Sequence, residues 1–96
     1  MVLVPSGQKY SSFLMSKEPM LLGGILVLTD GTNAATVTVY DNNVEVAAGG
    51  IAWKETDVGT NNYGGMMFPH PIKLNVGCYI VLSGTGASFI AYEAKL

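Results

Sequence analysis

The sequence predicts an all-β, single-domain antiparallel β-sandwich, jelly-roll-like, with about eight short strands. Three observations carry this. Ala34 to Tyr40 alternates residue by residue: Ala35, Val37 and Val39 face one way, Thr36, Thr38 and Tyr40 the other. That period of two, in β-branched residues, marks a half-buried strand. Turn-forming clusters of Gly, Asp and Asn recur at the ~8–12-residue spacing of sandwiches and barrels. No segment carries a convincing helical stripe.

The elements follow in order. Met1 to Gly7 contains a proline and a glycine and little pattern, and Tyr10 to Met15 reads as an edge strand. Residues 1–19 are therefore expected to form an N-terminal arm that orders on assembly, and residues 20–96 the β-sandwich domain. Gly24 to Thr29 is apolar on both faces, which suits a central strand. Thr29-Asp30-Gly31-Thr32-Asn33 has turn chemistry and is expected to close a hairpin with Ala34 to Tyr40. Asp41-Asn42-Asn43 is a second turn, leading into Val44 to Ala47. Gly49-Gly50 separates that piece from Ile51 to Lys54, and Gly59 to Gly65 reads as a loop. Cys78 to Ser83 is again apolar on both faces. Ser83 to Ala87 is expected to close a last hairpin with Ser88 to Ala94, where Phe89 and Ala91 oppose Ile90 and Tyr92.

Composition narrows the function classes. The 96 residues make one domain, 49% hydrophobic and only 12% charged, against ~25% charged in ordinary soluble domains. So little charge implies apolar surface covered by other subunits or by a larger particle. The net charge is −2, and all five basic residues are lysines: Lys9, Lys17, Lys54, Lys73 and Lys95. Without arginine, or any lysine cluster, a nucleic-acid partner is not expected. The longest apolar run, Met20 to Leu28, is interrupted by Gly23-Gly24 and falls short of the ~20 residues a bilayer span needs. The N-terminus does not read as a signal peptide. Cys78 is the single cysteine, so no internal disulfide forms, and it reads as a small buried hydrophobe.

Residues that could carry chemistry are few. His70, the one histidine, stands between Pro69 and Pro71 without a second catalytic signature. His70 and Cys78 do not make a zinc site. Asp30, Asn33, Asp41, Asn42 and Asn43 are oxygen-rich, but their spacing is not that of a calcium loop, and such residues are what turns require. A carboxylate pair could be drawn from Glu45, Glu55, Asp57 and Glu93, with nothing to prefer one pair. Ser83-Gly84-Thr85-Gly86-Ala87 lacks the lysine and helix of a phosphate loop. Trp53, Tyr63, Phe68 and Tyr79 could form a sugar platform, though strand aromatics more often fill cores or interfaces. Met66-Met67-Phe68, if exposed, would make a contact surface. No catalytic, cofactor-binding or metal-binding residue is therefore assigned, no cofactor is expected, and an enzyme is the least favoured class.

Taken together, Leu22-Gly23-Gly24-Ile25-Leu26-Val27, Thr29 to Asn42, Gly64 to Ile72 and Gly77 to Tyr92 resemble, in order and spacing, a pattern in small virion proteins of tailed bacteriophages. The resemblance spans roughly Leu21 to Tyr92 and departs from the pattern over Glu45 to Tyr63. Capsid decoration (cement) proteins are the closest in size. The resemblance implies a non-enzymatic structural protein with a sandwich or jelly-roll core. It would sit on the capsid exterior as a homo-oligomer, dimer or trimer, bound to the major capsid protein after synthesis in the host bacterial cytoplasm. Tail, baseplate and head-tail adaptor subunits share similar modules. A carbohydrate-binding module using Trp53 and Tyr63 is the alternative from another class.

Overall fold

Runs of alternating or continuous apolar residues, broken by glycine and Asx-rich turns, produce eight strands in the computed structural model, which describes residues 1–96. They are β1 (Val2–Pro5), β2 (Phe13–Ser16), β3 (Met20–Leu28), β4 (Ala35–Asp41), β5 (Gly50–Asp57), β6 (Tyr63–Leu74), β7 (Cys78–Ser83) and β8 (Ser88–Lys95). The only helical piece is a 3-10 turn at Gly59–Asn61. No helix is long and apolar enough to cross a membrane.

The strands form two four-stranded antiparallel sheets, β1-β8-β3-β6 and β2-β7-β4-β5. Four of the pairings are β1 with β8, β2 with β7, β3 with β6 and β4 with β5. That is one long hairpin, bent at the β4–β5 loop and rolled up so that β3 also meets β8 and β4 also meets β7. This connectivity is a jelly roll. The all-β sandwich expected from the alternation is what the chain adopts.

Two expected hairpins are corrected. Thr29 to Asn33 and Ser83 to Ala87 each carry the chain from one sheet to the other. The reason is competition for strand edges. β3 is flanked by β6 and β8, and β4 by β5 and β7, so neither has an edge left for the other. Turn chemistry reports a change of direction but does not tell a hairpin from a crossing. The Thr29 hydroxyl holds the first crossing, donating to the Gly59 carbonyl at 2.8 Å. The one sequence-local hairpin joins β4 to β5 through a long loop, residues 42–49. In its loop the Asn42 amide donates to the carbonyls of Val46 and Ala48, and Val44 to Ala47 forms no strand.

The loop expected over Gly59 to Gly65 is shorter than that, because β6 starts at Tyr63 and continues through Pro69 and Pro71. A strand with two prolines survives here because β6 is an edge, where missing N–H groups break no ladder. The register also jumps from Gly24↔Met67 to Leu22↔Ile72, so Phe68 to Pro71 forms a wide bulge. The first nineteen residues, expected as an arm, contribute an edge strand to each sheet: β1 on β8 and β2 on β7.

Between the sheets lie Phe89, Leu22, Ile25, Leu74 and Ile80, with Val27, Val37 and Val39, all fully buried. Ala35, Val37 and Val39 point inward, the apolar side of their alternation, and Phe89 and Ala91 join them, opposite Ile90 and Tyr92. The accessible surface is 5142 Å², close to the ~5,300 Å² of a compact monomer of this mass. The sandwich closes its own core, so exposed apolar residues outside it are not an unfinished interior.

Candidate functional site

Paired residues on neighbouring strands share a face, so the fully buried residues identify by register which positions point outward. On the β2-β7-β4-β5 sheet the outward set is Thr36, Thr38, Lys54, Thr56, Ser83 and the two tyrosines Tyr40 and Tyr79, with Leu14, Val81 and the exposed Ile51. Thr36 and Thr56 join their hydroxyls across the strands at 2.9 Å. This face mixes hydroxyls with apolar side chains and carries one charge, Lys54.

The outward set on the β1-β8-β3-β6 sheet is different. It holds Leu26 and Leu28 of β3, Ile90 and Tyr92 of β8, Tyr63 and Met67 of β6, and Leu3 of β1. Its one charged residue, Lys73, lies at the far end opposite Leu21. Tyr63, Met67 and Leu3 are 70%, 47% and 41% exposed. Met67 lies over Gly24, in space that a side chain there would need, and Leu3 lies likewise over Gly23. A shallow hollow of about 270 Å³ opens beside Leu26, between Tyr63 and Met67, where Gly64 and Gly65 bring no side chains. Of the Met66-Met67-Phe68 segment, the two methionines are exposed, while Phe68 turns inward onto the core.

The candidate chemical groups are scattered. His70 is exposed in the β6 bulge. Cys78 is fully buried, and burial, then the charges of Asp41 and Glu93, push its thiol up to about 12. That thiol is inert packing. The oxygen-rich residues serve two separate loops. Asp30 accepts from the backbone N–H groups of Thr32 and Asn33 and from the Asn33 amide, bonds that hold its carboxyl below the usual range. Asp41 accepts from the N–H groups of Asn75, Val76 and Gly77, at 3.0, 2.8 and 3.3 Å. Burial pushes its carboxyl upward, but those three bonds outweigh it and the net shift is downward. Asn43 bonds only to its neighbour's side chain, its N–H donating to Asn42. Ser83 to Ala87 runs directly into β8, with Gly84 and Gly86 at positive φ.

Of the four carboxylates, the structure brings Glu55 and Asp57 together and leaves Glu45 in the exposed β4–β5 loop and Glu93 on β8. Spacing of two on a strand places both on one face. By register that face is the inner one, opposite Val37 and Ala35. They meet the bare backbone of Gly64 and Gly65 across the seam where the two sheets' edges approach. Glu55 accepts the Gly65 N–H at 2.6 Å. Its hydrogen bond with Asp57, then burial, raise its carboxyl above the ordinary value. One Asp57 oxygen is buried without a partner. Inward charges on an edge strand, satisfying a free N–H, guard a sheet edge against pairing. The Gly64-Gly65 dipeptide is the sequence signal that could have selected this pair.

The aromatic residues do not form one platform. Trp53 points inward and meets Phe68 edge-on, ring centroids 5.7 Å apart, whereas Tyr63 is outward on the other sheet. Comparison with family models, with curated proteins and with solved structures finds no match.

Proposed function

We propose that this protein is a structural virion component that decorates and stabilises a phage capsid, binding the major capsid protein as a homo-oligomer. The observation that carries the reading is the nearly uncharged apolar outer face of the β1-β8-β3-β6 sheet. Such a face suits contact with another protein surface rather than capture of a solute, because apolar burial contributes roughly 25 cal/mol per Å² without any directional group. A second exposed apolar group, Val44, Val46 and Ile51 at the β4–β5 hairpin, lies on the other sheet's edge and supplies a separate contact. Two contacts on one small domain suit a cement, which must hold its own copies and a shell together. Individually weak contacts repeated around a shell reinforce one another through avidity.

The jelly roll supports the reading by analogy, since double-sheet rolls recur in viral capsid domains, though also in lectins and cupins. The candidate chemical residues serve structure: Glu55 and Asp57 seal a seam, and Cys78 is core.

Quantitative mass spectrometry of purified virions tests the reading. A copy number near that of the major capsid protein, or a simple fraction of it, is the expected result. A few copies per particle would transfer the protein to the tail, baseplate or neck, and absence from virions would overturn the proposal.

A further inference from the structure

We infer that the outer face of the β1-β8-β3-β6 sheet is a two-fold contact with a second copy of this chain. The inference rests on the assembly reading above and names the surface that holds the copies together.

The first argument is area. With Leu3, Tyr63 and Met67 exposed to the extents given above and Leu26, Leu28, Ile90 and Tyr92 partly exposed, the face offers roughly 400–500 Å² of apolar surface, at ~150–200 Å² per free side chain of this size. A standard interface covers about 800 Å² per partner, and a homodimer contact is about 65% apolar, so each side needs roughly 500 Å² of apolar area. The supply approaches the requirement of a stable dimer and falls within the ~300–600 Å² of the largest, often functional, patch on a monomer.

The second argument is electrostatic. In a two-fold contact every residue near the axis meets its own copy, so a charge there would face a like charge. This face carries none between Leu3 and Tyr63, and Lys73 is at its end. Relief is self-complementary as well: Tyr63 and Met67 project beside the hollow over Gly64 and Gly65, so each copy offers a knob and a recess.

Face-to-face stacking at ~10 Å between the two inner sheets gives a four-layer particle. Its outsides are the two Thr- and Lys-bearing faces, and the Val44, Val46 and Ile51 contacts stay free.

Sedimentation equilibrium of the purified chain tests this. The wild type is expected to weigh twice the chain mass. Tyr63→Lys, at a position too exposed to be needed for the monomer fold, should weaken dimerisation at least about tenfold, ~1.4 kcal/mol. Ile90→Lys should do the same, and Thr56→Lys on the other sheet should leave the dimer intact. Circular dichroism confirms that each variant is folded. A monomeric wild type, a trimer, or a dimer indifferent to both Tyr63→Lys and Ile90→Lys would overturn the interface. Shell binding by a monomeric wild type would overturn the interface alone. A Tyr63-dependent dimer absent from virions would overturn the virion reading alone.

Discussion

The two sheets share one core and present different outsides. Inward, both follow the same rule, with Val27, Phe89 and Ile25 on one side and Val37, Val39 and Ile80 on the other. Outward, one sheet interleaves threonines, a serine and a lysine with Leu14, Val81, Tyr40, Tyr79 and Ile51, and the other shows Leu26, Leu28, Ile90 and Met67 with two tyrosines and a lysine. Folding constrains only the inward positions, since an antiparallel sheet is content with one wet face. The outward positions are free to follow another requirement, and on one sheet they do. Each outer face carries a single lysine, Lys54 on one and Lys73 on the other, so the two differ in hydroxyl content rather than in charge.

The largest effect should come from the shared core. Phe89→Ala is expected to cost about 3–5 kcal/mol and to destroy both faces together, read as a shift in the urea midpoint. Its neighbour sharpens the contrast. Ile90→Ala, one residue along the same strand but outward, should cost below about 1 kcal/mol in dilute protein. Its cost should rise with protein concentration, because the dimer covers the part of Ile90 that the monomer leaves exposed. An equal cost at all concentrations would mean that the face is not a contact.

A second substitution separates the sheets. Gly65 has φ +95°, and a Cβ there would press on the Ile25 carbonyl oxygen. Gly65→Ala should destabilise by about 1–3 kcal/mol. Amide exchange should accelerate along β3 and β6 while β4 and β7 keep their protection. Gly50→Ala, where a Cβ meets open space, should stay within about 0.5 kcal/mol. Uniform loss of protection in Gly65→Ala would show that the two sheets open as one unit.

Inward positions were legible where apolar and polar residues alternate: Ala35-Val37-Val39 announce their face in five residues, whereas Phe89-Ala91 alternate with the equally apolar Ile90 and do not. Partners were not legible. Thr29 to Asn33 looks like a hairpin turn because a turn's residues satisfy local backbone, whereas β3's neighbours come from β6 and β8, tens of residues away. Pro69 and Pro71 hid β6, since proline argues against a strand until its edge position is known. The contact face was foreshadowed only by composition. Leu26, Leu28 and Ile90 read as core in a sequence, and only the register shows that they point away from it. The Glu55–Asp57 pair needed both its spacing and the Gly64-Gly65 strand opposite, which the sequence separates.

At the end of the β2-β7-β4-β5 sheet, Asp41 ties β4 to the β6–β7 turn through three N–H groups. Asp41→Ala should cost about 1–2 kcal/mol, comparable to losing a helix cap. Its folded-state carboxyl is shifted downward, so its contribution is complete above the unfolded value of 3.8 and is lost as pH falls through the lower folded value. The wild type and Asp41→Ala should therefore converge in stability in strong acid. Parallel curves would mean that the bonds do not depend on the charge.

The smallest effect tests the seam where the two sheets meet. Two carboxylates in contact resist losing both protons, and Glu55 is shifted upward by its bond to Asp57 and by burial. A raised folded value contributes stability that is complete below the unfolded value, 4.5, and is lost as pH rises through the folded one. At neutral pH the seam thus holds a strained pair. Glu55→Gln keeps a carbonyl to accept the Gly65 N–H and adds an amide that can donate to Asp57, whose oxygen lacks a partner. The variant should gain about 0.5 kcal/mol at pH 7, a modest figure because the pair lies near solvent. That is a rise of a few degrees in Tm for a domain of this size, and the gain should shrink towards pH 4, where the wild-type pair holds its proton. A variant less stable than wild type at pH 7 would mean that an ionised Glu55, gripping the Gly65 N–H, is what closes the seam.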